Sequence, residues 1–141
     1  MKLDARRVAA FLEAPGACRV VVLFGDDHGT IRERSNTLLR AVAGTLDDPF
    51  RVTDLEKDGI GRIVEEMASR SLTGGRRVVR VRDAGDGAVA AAIEAMAQAG
   101  DSLLVLEAPG LASRSKLRTA MEQAPGAVAI EAGAERVTYA E

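Results

Sequence analysis

Apolar and polar positions along this chain follow two alternating rhythms. CRVVVLFG (18–25) is a nearly continuous apolar run, the pattern of a strand covered on both faces. Ahead of it, Ala5, Val8, Ala9 and Leu12 recur at helical spacing within residues 4–13, and APG closes the segment. From Thr30 to Val42 the positions Ile31, Ser35, Leu38 and Val42 share one helical face, and Gly44 stands where a helix cap belongs. Four further strand patterns follow: FRVTDLE (50–56), RRVVRVRD (76–83), SLLVLEAP (102–109) and AVAIEA (127–132). Between them lie three helical stretches. IGRIVEEMASRSL (60–72) puts Ile60, Ile63, Val64, Met67 and Leu72 on one stripe before Gly-Gly breaks the chain. Residues 88–97 form an alanine-rich segment, and SRSKLRTAMEQA (113–124) opens on Ser113 as a candidate N-cap. Five strands alternating with helices predict an α/β fold with a five-stranded parallel sheet sandwiched by helices, because parallel strands need right-handed crossovers.

Composition narrows the chemistry. The chain has 141 residues, the size of one ordinary domain, and is poor in aromatics, with one Tyr, three Phe and no Trp. Its formal charge of −2 gives no general attraction to polyanions. Cys18 is the only cysteine and His28 the only histidine, which excludes an internal disulfide, a multi-cysteine metal site and a histidine cluster. Cys18 reads as a small buried hydrophobe and His28 as a surface residue, so no catalytic, cofactor or metal residues are assigned. The amphipathic start lacks a signal-peptide core and no run approaches membrane-spanning length. A cytoplasmic protein with no membrane partner is expected.

The turn after the first strand reads Gly25-Asp26-Asp27-His28-Gly29-Thr30. Ligands of open α/β sheets sit at such turns. A phosphate-binding loop would carry a lysine here and glycines that free backbone N–H groups. Two carboxylates stand there instead. Three readings are open. Direct ATP binding conflicts with the charge. A receiver-like phospho-acceptor domain would use paired acids to hold Mg²⁺ beside a third aspartate, with Asp54 or Asp83 as the acceptor. More plainly, one acid caps the following helix and the other is solvated.

The ordered stretches CRVVVLFGDDHGTIRERSNTLLRAV, DPFRVTDLE, IVEEMASRSLTGGRRVVRVRDA and SLLVLEAPGLASRSKLRTAMEQAPGAVAIEA resemble the N-terminal domain of the delta subunit of bacterial DNA polymerase III, part of the sliding-clamp loader. Order and spacing carry the resemblance, which covers residues 1–132 and leaves 133–141 as a tail. It implies an AAA+-like, P-loop NTPase-type fold with a degenerate nucleotide site and no cofactor. It also implies a non-catalytic subunit that binds and helps open the clamp during DNA replication without hydrolysing ATP itself. The family's lid and collar domains have no counterpart in these residues. Without a collar, stable assembly with other loader subunits is not expected, and DNA would be a partner only indirectly.

The family's clamp-binding SLF tip corresponds to Ser71, Leu72 and Thr73. Thr73 replaces the aromatic, which leaves two expectations: weaker binding of the clamp, or Leu72 acting with Met67 instead. The plainer reading is that Leu72 covers the core face of its own helix. In RRVVRVR, strand alternation sends Arg76, Arg80 and Arg82 to one face, a candidate nucleic-acid or partner contact that a salt-bridged strand end would equally explain. SRS (113–115) resembles the Ser-Arg-Cys motif that supplies an arginine finger in related loader subunits. Arg114, Lys116 and Arg118 otherwise read as a solvated helix face.

Overall fold

The five apolar runs form the strands of one sheet: β1 (Val20–Gly25), β2 (Val52–Leu55), β3 (Val78–Val81), β4 (Leu103–Pro109) and β5 (Ala127–Glu131). A computed structural model describes residues 1, 3, 5–72, 74–112 and 114–133. Thr73, Ser113 and most of the expected tail (134–141) therefore lie outside the described residues. The strand order is β2-β3-β4-β1-β5, and all four pairings are parallel, in the register Val52↔Val78, Val78↔Leu103 and Val20↔Leu104, with Val20↔Ala127 on the other side of β1.

The helices are α1 (Ala5–Glu13), α2 (His28–Ala43), α3 (Ile63–Ala68), α4 (Val89–Ala97) and α5 (Lys116–Gln123). Short 3₁₀ segments, Lys57–Arg62 and Asp86–Ala88, lead into α3 and α4. α1 and α2 cover one face of the sheet, where Val21, Leu23, Val105 and Ile130 meet Val8, Leu12, Ile31 and Leu38. α3, α4 and α5 cover the other, where Val20, Val22, Leu104 and Leu106 meet Ile63, Met67, Ala92 and Leu117. This two-sided burial explains the unbroken apolar run of β1. Among the described residues no helix is long and apolar enough to cross a membrane.

Two helices differ from the sequence expectation. The stripe over 60–72 becomes a 3₁₀ turn followed by a helix that stops at Ala68, because Ser69 turns to extended backbone (φ −72°, ψ 145°). The last predicted helix begins at Lys116, not near Ser113. Ser115 is its N-cap and accepts a hydrogen bond from the Arg118 N–H. Asp86 reinforces that start, accepting from the Leu117 N–H and the Ser115 hydroxyl.

Strand order also overturns the phospho-acceptor reading. A receiver-type sheet runs 2-1-3-4-5 and places its third strand beside the first. Here β4 separates β3 from β1, so Asp83 does not lie on a strand next to the one that carries Asp26 and Asp27. Asp54 sits on edge strand β2 and is ion-paired to Arg80 at 2.6 Å.

Candidate functional site

The turn after β1 is closed by the chain itself. Gly25 adopts φ +119°, open to glycine alone, and a Cβ there would strike the Ala132 carbonyl. That same carbonyl accepts from the Asp27 N–H at 3.2 Å, while the Ala132 N–H donates to Phe24 O at 2.7 Å. Asp27 is the N-cap of α2, its carboxylate accepting from the Thr30 N–H at 3.0 Å. This bond holds the Asp27 carboxyl below its ordinary value. One acid therefore caps the helix, and two of the N–H groups around the turn already have partners. Asp26 is exposed, and His28 is the exposed first residue of α2.

Beside this turn lies a cleft of about 420 Å³ lined by Phe24, Asp26, Leu111, Arg118 and Glu131. Arg118 stacks over the Phe24 ring, 4.6 Å from its centroid, and pairs with Glu122 at 3.2 Å. It is thus partly engaged by its own domain, whereas Arg114 and Lys116 are exposed. Among the described residues no three potential metal ligands converge.

The expected arginine face does not form one surface. Arg80 is 4% exposed; its guanidinium bonds Asp54 on β2 and, on α2, Asn36 Oδ1 at 2.7 Å and Ser35 Oγ at 3.3 Å. Glu107, buried on neighbouring β4, is 3.8 Å from Arg80 and bonded to Arg32 at 2.8 Å. A phosphate would have to displace Asp54 to reach Arg80, so this side chain reads as part of a buried ionic network. Arg76 and Arg82 stand at opposite ends of β3. Arg82 leans toward Asp54, 3.8 Å away. Arg76 donates to the carbonyls of Gly16 and Cys18, each at 2.6 Å, and to that of Asp101, drawing together the loops that enter β1, β3 and β4. Cys18 is half-buried there; burial pushes its thiol up, and the thiol donates to Val20 O at 3.3 Å.

The other candidate lies at the opposite, amino end of the sheet, in the loop between α3 and β3. Leu72 is 84% exposed, so it does not cover the core face of its helix. Met67, expected to act with it, is 2% exposed and packs in the core. Ser71 is half-buried, and Thr73 lies outside the described residues.

Arg77, which strand alternation places on the face opposite Arg80, anchors this loop. It is buried, and it donates to the Glu66 carbonyl at 2.8 Å and the Ser69 carbonyl at 3.5 Å. A cation thus satisfies the last turn of α3. Arg77 also bonds the Thr53 hydroxyl and pairs with Glu66 Oε1 at 3.3 Å. Desolvation pushes the Glu66 carboxyl up, but hydrogen bonds from Arg62, Thr53 and Arg77 outweigh it and leave it below the ordinary value of 4.5. At the far foot of the loop Gly74 and Gly75 take φ +79° and +85°. The Arg51 guanidinium stands 2.6 Å from where a Gly75 Cβ would lie. Beneath the loop a hollow of about 460 Å³ is lined by Met67, Ser69, Arg70, Gly75, Arg77 and Asp101, among others. A single exposed leucine is ordinary on a protein surface. This one occupies a loop whose two feet are pinned. Sequence reasoning found Leu72 but not Arg77, because the only local signal was a basic residue at the start of a strand.

No family model and no curated protein matches the chain. Among solved structures, the Bacillus subtilis DNA clamp loader delta protein superposes with a TM-score of 0.69 over 90% of this chain and 42% of its own, at 19% identity. A DNA polymerase III gamma subunit-related protein from Thermotoga maritima superposes with a TM-score of 0.56 over 73% of this chain and 39% of its own, at 17% identity. The chain spans about two-fifths of the length of these proteins. At such identities the likeness is one of architecture: the five-stranded parallel α/β fold of this chain is shared with these two proteins.

Proposed function

We propose that this chain is a delta-like clamp-loader element that grips a sliding clamp, the ring-shaped beta subunit, through Leu72 and helps to open it during DNA replication. It acts by protein contact and does not hydrolyse ATP. The observation that carries the reading is the exposure of Leu72 on a loop held by Arg77. An apolar side chain on a loop whose feet are already held costs little backbone freedom on entering a partner's pocket, which favours a hot spot. The closed turn after β1 supports the second half: the backbone fills the approach to Gly25, and Asp26 and Asp27 would repel a triphosphate. Stable assembly with other loader subunits is not part of this reading, DNA is an indirect partner, and the setting is the cytoplasm.

Interferometry against the immobilised cognate clamp tests the contact. The full chain is expected to bind, and Leu72→Ser is expected to weaken binding at least tenfold, the size of a hot-spot loss. Equal binding by both chains would remove Leu72 from the account. Nucleotide tests the rest: millimolar Mg-ATP should leave the melting temperature unmoved, since a ligand that binds the folded state must raise it. ATP turnover by the purified chain would overturn the non-catalytic reading.

A further inference from the structure

Phe50 lies on the turn between α2 and β2, at the same end of the sheet as Leu72. Among the described residues it is one of four exposed large hydrophobics, with Met1, Leu72 and Ile93. It is also the most exposed of the three phenylalanines: Phe24 is buried and Phe11 partly so. The residue is 48% exposed.

The turn that carries it is stiff. Pro49 precedes Phe50 and fixes its own φ. The Asp48 carboxylate accepts from the Phe50 N–H at 2.9 Å, and the Asp48 carbonyl accepts from the N–H groups of Arg51 at 3.0 Å and Val52 at 2.8 Å. The turn is also joined to the Leu72 loop. The Val78 N–H donates to Arg51 O at 2.8 Å, and the Arg51 guanidinium lies against Gly75, the far foot of that loop. Two exposed apolar side chains are thus mounted on neighbouring, interlocked turns.

We propose that Phe50 is a second anchor for the same partner, so that the clamp is held at two apolar points, Leu72 and Phe50. The inference rests on the clamp-contact reading. Its chemistry is aromatic burial: a ring with few rotatable bonds, on backbone that is already ordered, releases water from a large apolar area at small entropic cost. The two turns adjoin at the same end of the sheet, so one partner surface can reach both.

The test compares the full chain with its Phe50→Ser and Leu72→Ser variants on the immobilised cognate clamp, alongside thermal unfolding. Phe50→Ser should weaken binding about tenfold while the melting temperature stays within a few degrees. Because the chain has no tryptophan, Phe50→Trp supplies a second readout, an emission blue shift when excess clamp is added. Wild-type affinity in Phe50→Ser, or an unmoved emission in Phe50→Trp, while Leu72→Ser still loses binding, would overturn the second anchor and leave the Leu72 contact standing. Failure of the unaltered chain to bind, or full binding by Leu72→Ser, would bring down the clamp reading and this inference with it.

Discussion

At the carboxyl end of the sheet the chain spends its polar groups on itself. Ala132 closes over Gly25, Asp27 caps α2, and Arg80, Asp54 and Glu107 form an ionic cluster between α2 and the strands. At the amino end the polar groups hold the backbone, while the exposed surface includes Leu72 and Phe50. In an open α/β sheet the carboxyl end is the usual place for a ligand. Here that end is built as scaffold, and the amino end has the features of a contact surface. If the proposed clamp contact holds, a fold's customary ligand position and its contact surface lie here at opposite poles.

Substitutions should therefore sort by pole, those at the carboxyl end costing stability and those at the tip costing binding. The largest loss is expected from Arg80→Met. It removes a buried guanidinium's bonds to Asp54, Asn36 and Ser35, leaving Asp54 with Arg82 at 3.8 Å and Glu107 with Arg32 at 2.8 Å, at a cost of about 3 kcal/mol in urea unfolding. Gly25→Ala follows, with roughly 2–3 kcal/mol expected from a positive φ combined with a backbone clash. If either variant unfolds like the wild type, the carboxyl end is not the scaffold described here.

Acid provides a smaller and finer test. Glu66 holds its proton less tightly when folded than when unfolded, so its contribution is complete above about pH 4.5 and drains away as pH falls through the lowered native value. Glu66→Gln should accordingly flatten the acid side of the stability profile and leave any loss due to Asp27 and Asp86, whose carboxyls are also held low by capping bonds. An unchanged acid limb would contradict the described bonds to Glu66. Smallest of all, Leu72→Ser should shift stability by no more than about 0.5 kcal/mol, because an exposed side chain has little packing to lose. A larger loss would make Leu72 part of the fold and blur the two poles.

Much of this architecture was legible in the chain. The five apolar runs became five strands, since burial on both faces leaves a direct imprint on sequence. A helix cap supplied by one of the two acids after β1 was legible too, because capping is local chemistry, but not that Asp27 is the one. Strand order was not, as alternating elements reveal that crossovers exist but not which strands they skip. The end of α3 was missed for a related reason: the stripe through Leu72 continues in sequence, but Arg77, nine residues beyond Ala68, takes the carbonyls on which the helix ends. Strand alternation placed Arg80 on the correct side of β3, yet its partners come from α2, β2 and β4, and no local pattern reports them. The proposed contact residues were only half visible. Leu72 stood out by resemblance, whereas Phe50 looked like the first residue of a strand.

The arginines at the foot of the tip have a mechanical consequence. Arg77 ties the loop to α3 and to Thr53 on β2, and Arg76 ties its other end to the segments entering β1 and β4. A pull applied at Leu72 is therefore shared among four strands instead of peeling away one. In the proposed role of prising open a closed ring, this bracing would serve as the fulcrum.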